Sequence, residues 1–216
     1  VRRNFSIAFM AGAHVFPGGR VDAADDDADA AWCDLPHEDD AARGPSLAFR
    51  VAALRELFEE AGVLIARTPD GSWLSVDDPG AAQRFALDRE AVHAGRASLR
   101  SVVEREGVRL ALDAVVPFAH WVTPPIEVRR FDTWFFAVGA PARQMATHDA
   151  HESSDSAWFT PRAALLGTLA GVSVTFISMR PALEMYMTPQ IGLICFAIIV
   201  LNWFGGVRYF KGAPAG

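Results

Sequence analysis

Apolar positions run almost unbroken through residues 5–16, FSIAFMAGAHVF, and stop at Pro17-Gly18-Gly19. That run predicts a strand feeding a tight glycine turn. Residues 22–40 lose the pattern. Asp and Ala crowd around Pro36 with no apolar period, which predicts an acidic surface loop. Gly44-Pro45-Ser46 reads as a helix start with Ser46 at the N-cap. Over residues 47–62, Phe49, Ala52, Ala53, Leu57 and Ala61 recur at helical spacing, and Gly62 is a natural stop. Residues 63–66, Val-Leu-Ile-Ala, predict a short strand, and Asp70-Gly71 a turn. Residues 80–106 read as two helices with Arg84, Arg89, Arg96 and Arg100 on exposed faces. Residues 114–122 and 131–139 predict strands joined through Thr123-Pro124-Pro125. Residues 157–161 predict a last short strand, with Pro161 opening a helix. Strands interleaved with helices in this order predict an α/β sandwich.

Charge divides the chain in two. The whole sequence has 216 residues, 51% of them apolar, and a net charge of −6. Residues 161–216 carry Arg162, Arg180, Arg208 and Lys211 against Glu184, a net +3, so the part before them carries −9. An acidic chain without a basic run argues against nucleic acid as a partner. Cys33 and Cys195 imply no disulfide framework. No secretory signal is legible at the start, and the absence of an initial Met suggests a fragment or a processed chain.

The tail has its own pattern. Residues 163–179 are 17 positions without a charge, and residues 185–207 are 23 more. A run of about 20 apolar residues can cross a bilayer. Asn202, Trp203 and Tyr209 suit an interface, and Arg208 with Lys211 a cytoplasmic flank; a buried helix is the alternative.

The chemistry is concentrated in Arg55-Glu56-Leu57-Phe58-Glu59-Glu60-Ala61-Gly62-Val63. Glu56, Glu59 and Glu60 stand at i, i+3 and i+4, on one helical face with neighbouring Cβ atoms about 5–6 Å apart. Like charges at that spacing repel unless a cation joins them. Hard divalent cations favour such oxygen ligands and commonly bring substrate phosphates with them. A solvated Glu-rich face is the bland alternative. The adjoining Arg55, the terminal Gly62 and the upstream Gly18-Gly19 turn favour the metal reading.

These residues carry a family resemblance. Residues 55–63 resemble the second half of the Nudix box, GX5EX7REUXEEXGU with U apolar, and match every specified position of that half. Gly19 matches the opening glycine, and Asp25 stands where the first Glu belongs. Asp25 and Arg55 are 30 positions apart where the pattern has eight, so about 22 residues are inserted. The inserted stretch, about residues 26–46, is the acidic loop. An interrupted box of this kind is similar to that of the coenzyme A diphosphatase branch, as are AFMAGAHVFPGGRVDAAD (8–25) and HWVTPPIEVRRFDTWFFAV (120–138).

The resemblance implies a Nudix-type α/β/α sandwich over residues 1–166, followed by a hydrophobic helical tail over 167–216. It also implies roles. Glu56, Glu59 and Glu60 would hold Mg²⁺ or Mn²⁺, with Glu56 activating water. Arg55 would pair with a Glu and orient it, and the Gly18 carbonyl would be a further ligand. A later carboxylate completes the site, Glu152 first and Asp155 second. The implied substrate is a small-molecule diphosphate of the nucleoside-diphosphate-linked type, coenzyme A or an acyl derivative foremost.

Other residues have plainer readings. Arg129 and Arg130 could reach substrate phosphates through their planar forks, or be solvated beside a strand. His120, His148 and His151 are too loosely spaced for zinc. Trp121, Trp134 and Trp158 read as core. Cys33 lacks the basic surroundings of a nucleophile.

The tail faintly resembles part of a purine or uracil-type membrane permease. A joined reading frame with its seam near residues 162–171 is therefore expected, and a natural membrane-anchored hydrolase is the alternative. The Nudix part would then be cytoplasmic, with membrane association through residues 185–207. A competing functional reading makes the tail the working part and the acidic domain a non-catalytic binding module.

Overall fold

A computed structural model describes residues 2–3, 15–123, 131–149, 153–155 and 158. The chain divides into two compact units, residues 17–149 and a second formed by residues 1–16 with 150–216. In the second unit, β1 (Arg2–Arg3) pairs antiparallel with β7 (Ser153–Asp155). Trp158 lies there too and is 78% exposed, so it is not a core residue. Of the predicted strand over residues 157–161 only Trp158 is described, and it is not in a strand; the rest lies outside the described residues. The predicted strand over residues 5–16 and the tail over 167–216 lie outside the described residues, apart from Val15 and Phe16, which are not in a strand. Among the described residues no helix is long and apolar enough to cross a membrane.

The larger unit is mixed α/β. A 3₁₀ turn at Ala23–Asp27 leads to β2 (Cys33–Asp34) and the short helix α1 (Glu38–Arg43). Then come α2 (Leu47–Ala61), β3 (Ala66–Arg67), α3 (Pro79–His93), α4 (Leu99–Arg105) and β4 (Arg109–Ala111). A long hairpin, β5 (Val116–Val122) and β6 (Asp132–Ala137), follows. β4 is the central strand of a three-stranded sheet, parallel to β2 and antiparallel to β3.

α2 forms for local reasons. It is built mostly from Leu, Ala, Arg and Glu, all good helix formers. Gly62 ends it in the left-handed region at φ 69°, with its N–H donating to the Phe58 carbonyl. Ser46 is the N-cap residue, but its side chain makes no capping bond. The face turned to the core differs in part from the expected one: Val51, Leu54 and Phe58 are buried together with the expected Ala52 and Ala61, while Phe49, Ala53 and Leu57 are half-buried. The large apolar side chains at i, i+3 and i+7, Val51, Leu54 and Phe58, outweigh Phe49 and Leu57 in choosing the face. Phe58 meets Phe85 of α3 edge-on, ring centres 6.5 Å apart. Val92 of α3, Val102 and Val103 of α4, Leu110 of β4 and residues 63–66 complete the core. Of the apolar run 63–66 only Ala66 is in a strand; the others are buried but unpaired as strand.

The inserted segment corrects the sequence reading. It is not wholly a surface loop, because Trp32 and Cys33 are among the most buried residues of the unit. Cys33 pairs with Leu110 across β2 and β4. Burial pushes the Cys33 thiol up to about 12, which keeps it neutral and unreactive, as its lack of basic neighbours suggested. Asp34 carries the charge of this region at the sheet edge. It accepts from Arg109 at 2.6 Å and from Arg67 at 2.9 Å. Burial alone would raise its pKa, but the two guanidiniums outweigh it and lower it.

Candidate active site

Arg55 organises the site. It lies on α2 with its side chain almost wholly buried, and four groups receive its protons. Nε donates to Asp25 Oδ1 at 3.0 Å, and Nη2 to Asp25 Oδ2 at 3.1 Å. Nη2 also donates to the Arg20 carbonyl at 2.7 Å. Nη1 donates to Glu56 Oε1 at 3.0 Å and Glu59 Oε1 at 2.8 Å. Burial disfavours the charged guanidinium, but the carboxylates of Asp25, Glu59 and Glu56 outweigh that and hold its pKa above the ordinary arginine value. Arg55 therefore stays a cation hydrogen-bonded to both Glu56 and Glu59.

Asp25 is the partner across the insertion. It is 1% exposed, and its carboxylate also accepts from the Asp22 backbone N–H at 2.8 Å. The inserted residues leave and return without separating the two halves of the box. The 3₁₀ turn brings the shorter Asp, standing where the pattern has a Glu, directly onto the guanidinium.

The glycine turn meets Glu56. A Cβ placed on Gly19 would stand 2.1 Å from Glu56 Oε1, so any side chain there would force the Glu56 carboxylate to shift. Gly18 has open space where its side chain would be. Glu59 is held at both oxygens. Oε1 accepts from Arg55, and Oε2 lies 3.5 Å from His93 Nδ1 of α3. Glu60 is buried on the same helix. Among the described residues no three Asp, Glu, His or Cys side chains converge on one point as a ready ion cage. The donor set is nonetheless all oxygen, three carboxylates on one helix with Glu56 against the glycine turn, and that chemistry fits a hard divalent cation.

Several contributors were not legible from the sequence. Arg89, expected on an exposed face, is half-buried and donates from Nε to the Glu59 carbonyl at 2.7 Å. Gln144 accepts from the Leu64 N–H at 2.9 Å and donates to the carbonyls of Leu64 at 2.9 Å and Leu74 at 3.1 Å. His93 and Arg20 have no local motif to mark them. Glu152, Arg129 and Arg130 lie outside the described residues, and Asp155 is placed in β7 by its backbone alone. His120 is an exposed residue of β5, 2.6 Å from Asp132 and stacked on Trp134 with ring centres 4.0 Å apart. Trp121 and Trp134 are half-buried rather than core.

Comparison with known proteins gives the family. The family model described as the NUDT19 Nudix domain matches residues 35–169. The chain belongs to the NUDT19 Nudix domain family. The match begins after Gly19 and Asp25, so the first half of the box rests on their contacts with Glu56 and Arg55. The chain is 35% identical over 170 residues to the acyl-coenzyme A diphosphatase NUDT19 of Homo sapiens, covering 59% of this chain and 44% of that protein. It is 29% identical over 204 residues to the Gallus gallus protein of the same name, covering 76% and 54%. The putative nudix hydrolase 7 of Caenorhabditis elegans is 29% identical, with 79% and 49% covered. The chain thus spans about half the length of the curated relatives it matches. A crystal structure of a NUDIX hydrolase from Alicyclobacillus acidocaldarius superposes with a TM-score of 0.58 at 29% identity, covering 81% of this chain and 74% of that one. The fold is that of a Nudix hydrolase.

Proposed function

We propose that this protein is a Mg²⁺- or Mn²⁺-dependent hydrolase that cleaves the diphosphate linkage of coenzyme A or an acyl-coenzyme A. The observation that carries the proposal is the Arg55 hub. One buried cation orients Glu56 and Glu59 from the helix and holds the glycine turn against them through Asp25 and the Arg20 carbonyl. The relatives named acyl-coenzyme A diphosphatase support the substrate class.

Glu56, Glu59, Glu60 and the Gly18 carbonyl would hold the cation. When bound, it neutralises phosphate charge and makes water more acidic. Glu56, pressed against the glycine turn, accepts a proton from the attacking water. A bond forms from that water oxygen to phosphorus as the bridging P–O bond breaks, and the phosphate fragment leaves with the bridging oxygen. Arg55 orients Glu56 through a charge-assisted hydrogen bond. Arg129 and Arg130 are assigned to the substrate phosphates. Glu152, or Asp155 in its place, is assigned as the later carboxylate.

The test uses the full chain with coenzyme A and acyl-coenzyme A, with and without Mg²⁺ or Mn²⁺. Hydrolysis that EDTA abolishes and Glu60→Gln lowers by about 100-fold or more supports the reading. Full activity in Glu60→Gln refutes the metal assignment. Wild-type protein inert toward both substrates with either metal refutes the function.

A further inference from the structure

We infer that Arg89, on α3, is a positioning residue that sets the C-terminal end of the carboxylate helix, and with it the cation-holding Glu59 and Glu60. The inference rests on the hydrolase reading above, which assigns those carboxylates to the cation.

The guanidinium of Arg89 spans two chain segments. Nε donates to the Glu59 carbonyl at 2.7 Å, inside the last turn of α2. Nη1 donates to Thr147 Oγ1 at 3.1 Å, and Nη2 to the Thr147 carbonyl at 2.9 Å. Thr147 returns the connection, its N–H donating to the Ala61 carbonyl at 2.9 Å. Arg89 thus ties the last turn of α2 to the segment at Thr147 from outside the helix. Gly62 completes the arrangement. A Cβ there would stand 3.1 Å from Arg89 Nη1 and 3.5 Å from Thr147 Oγ1, so the glycine that ends the helix also admits the guanidinium.

Charge points the same way. A cation at a helix C-terminus complements the helix dipole. Burial lowers the Arg89 pKa, while Asp149 and Glu60 act against that and favour the cation. Arg89 thus fixes the backbone of Glu59 by hydrogen bonds and places positive charge within reach of Glu60. Arg55 orients Glu59 through its carboxylate, and Arg89 fixes the main chain that carries it. Outer residues of this kind commonly change metal affinity or activity by about 10–100-fold.

The test measures Mn²⁺ binding to the full chain without substrate, from the electron paramagnetic resonance signal of free Mn²⁺, beside kcat, KM and thermal stability. Arg89→Met keeps the stem and removes the donors. It is expected to weaken Mn²⁺ binding about tenfold and lower kcat by a similar factor, with KM little changed. Arg89→Lys, which retains the charge and one donor, is expected to recover part of both. A folded Arg89→Met variant that binds Mn²⁺ within about twofold of wild type overturns the inference, even if its stability falls. Should Arg89→Met not fold, Thr147→Val and Arg89→Lys decide. Weakening of about twofold or more in either supports the role, and wild-type affinity in both overturns it. Wild-type protein that binds no Mn²⁺ refutes the hydrolase reading itself, whereas normal wild-type binding with unaffected variants removes only Arg89.

Discussion

Replacing Asp25 with Asn tests whether the two halves of the interrupted box are joined through a buried ion pair. Asp25 Oδ1 accepts from Arg55 Nε, and Oδ2 accepts from Arg55 Nη2 and the Asp22 N–H. Asn keeps the shape but offers one oxygen where there were two. In one orientation its NH₂ group faces Nε; in the other it faces both Nη2 and the Asp22 N–H. The better orientation strands one buried donor, at about 1–3 kcal/mol. The fold also loses a charge partner of Arg55. Breaking a buried pair outright costs about 3–5 kcal/mol, but Glu56 and Glu59 continue to compensate the guanidinium. The expected loss is therefore about 3 kcal/mol, at the low end of that range. Urea unfolding followed by far-ultraviolet circular dichroism checks it. With a slope of about 2 kcal/mol/M, the midpoint drops by about 1.5 M. A cycle with Arg55→Met should give a coupling of about 2 kcal/mol or more between the two positions. A midpoint within about 0.3 M of wild type, or a coupling below about 0.5 kcal/mol, would refute the buried pair.

Three other changes probe different parts of the unit. Gly19→Ala puts a methyl group 2.1 Å from Glu56 Oε1; turnover should fall by about tenfold or more with the circular dichroism spectrum unchanged, and wild-type turnover would disprove the close approach. Gln144→Leu leaves the Leu64 N–H and two carbonyls without its amide, so unfolding by urea should show a loss of about 2–3 kcal/mol. In a Cys195→Ser background, Cys33 should resist a thiol reagent at pH 8 until the protein unfolds. Its folded pKa is raised, so its contribution to stability is complete below the ordinary thiol value of 9.0 and is lost as pH rises toward about 12. Rapid labelling of the folded protein would contradict its burial.

The carboxylate helix was legible because its determinants are local. The i, i+3, i+4 spacing of Glu56, Glu59 and Glu60 and the stop at Gly62 are properties of one short segment. The same holds for α3, α4 and the β5–β6 hairpin, whose periods and turn residues lie within each element. The apolar face of α2 was less legible, since alanines fit either side and packing against α3 chose between them.

What the sequence by itself determined was the family pattern and the identity of the charged residues near the chemistry. Only the tertiary structure decided which charges meet. Asp25 reaches Arg55 across 30 positions, and Arg89 reaches Glu59 across another 30 and Thr147 across 58. Cys33 enters the core by pairing with Leu110 of a distant strand. An acidic loop and an arginine on a helix look solvated in isolation, because local pattern records exposure only to the extent that neighbours in sequence are neighbours in space. Burial, and the paired charges that burial demands, arise from contacts between segments that no local period describes.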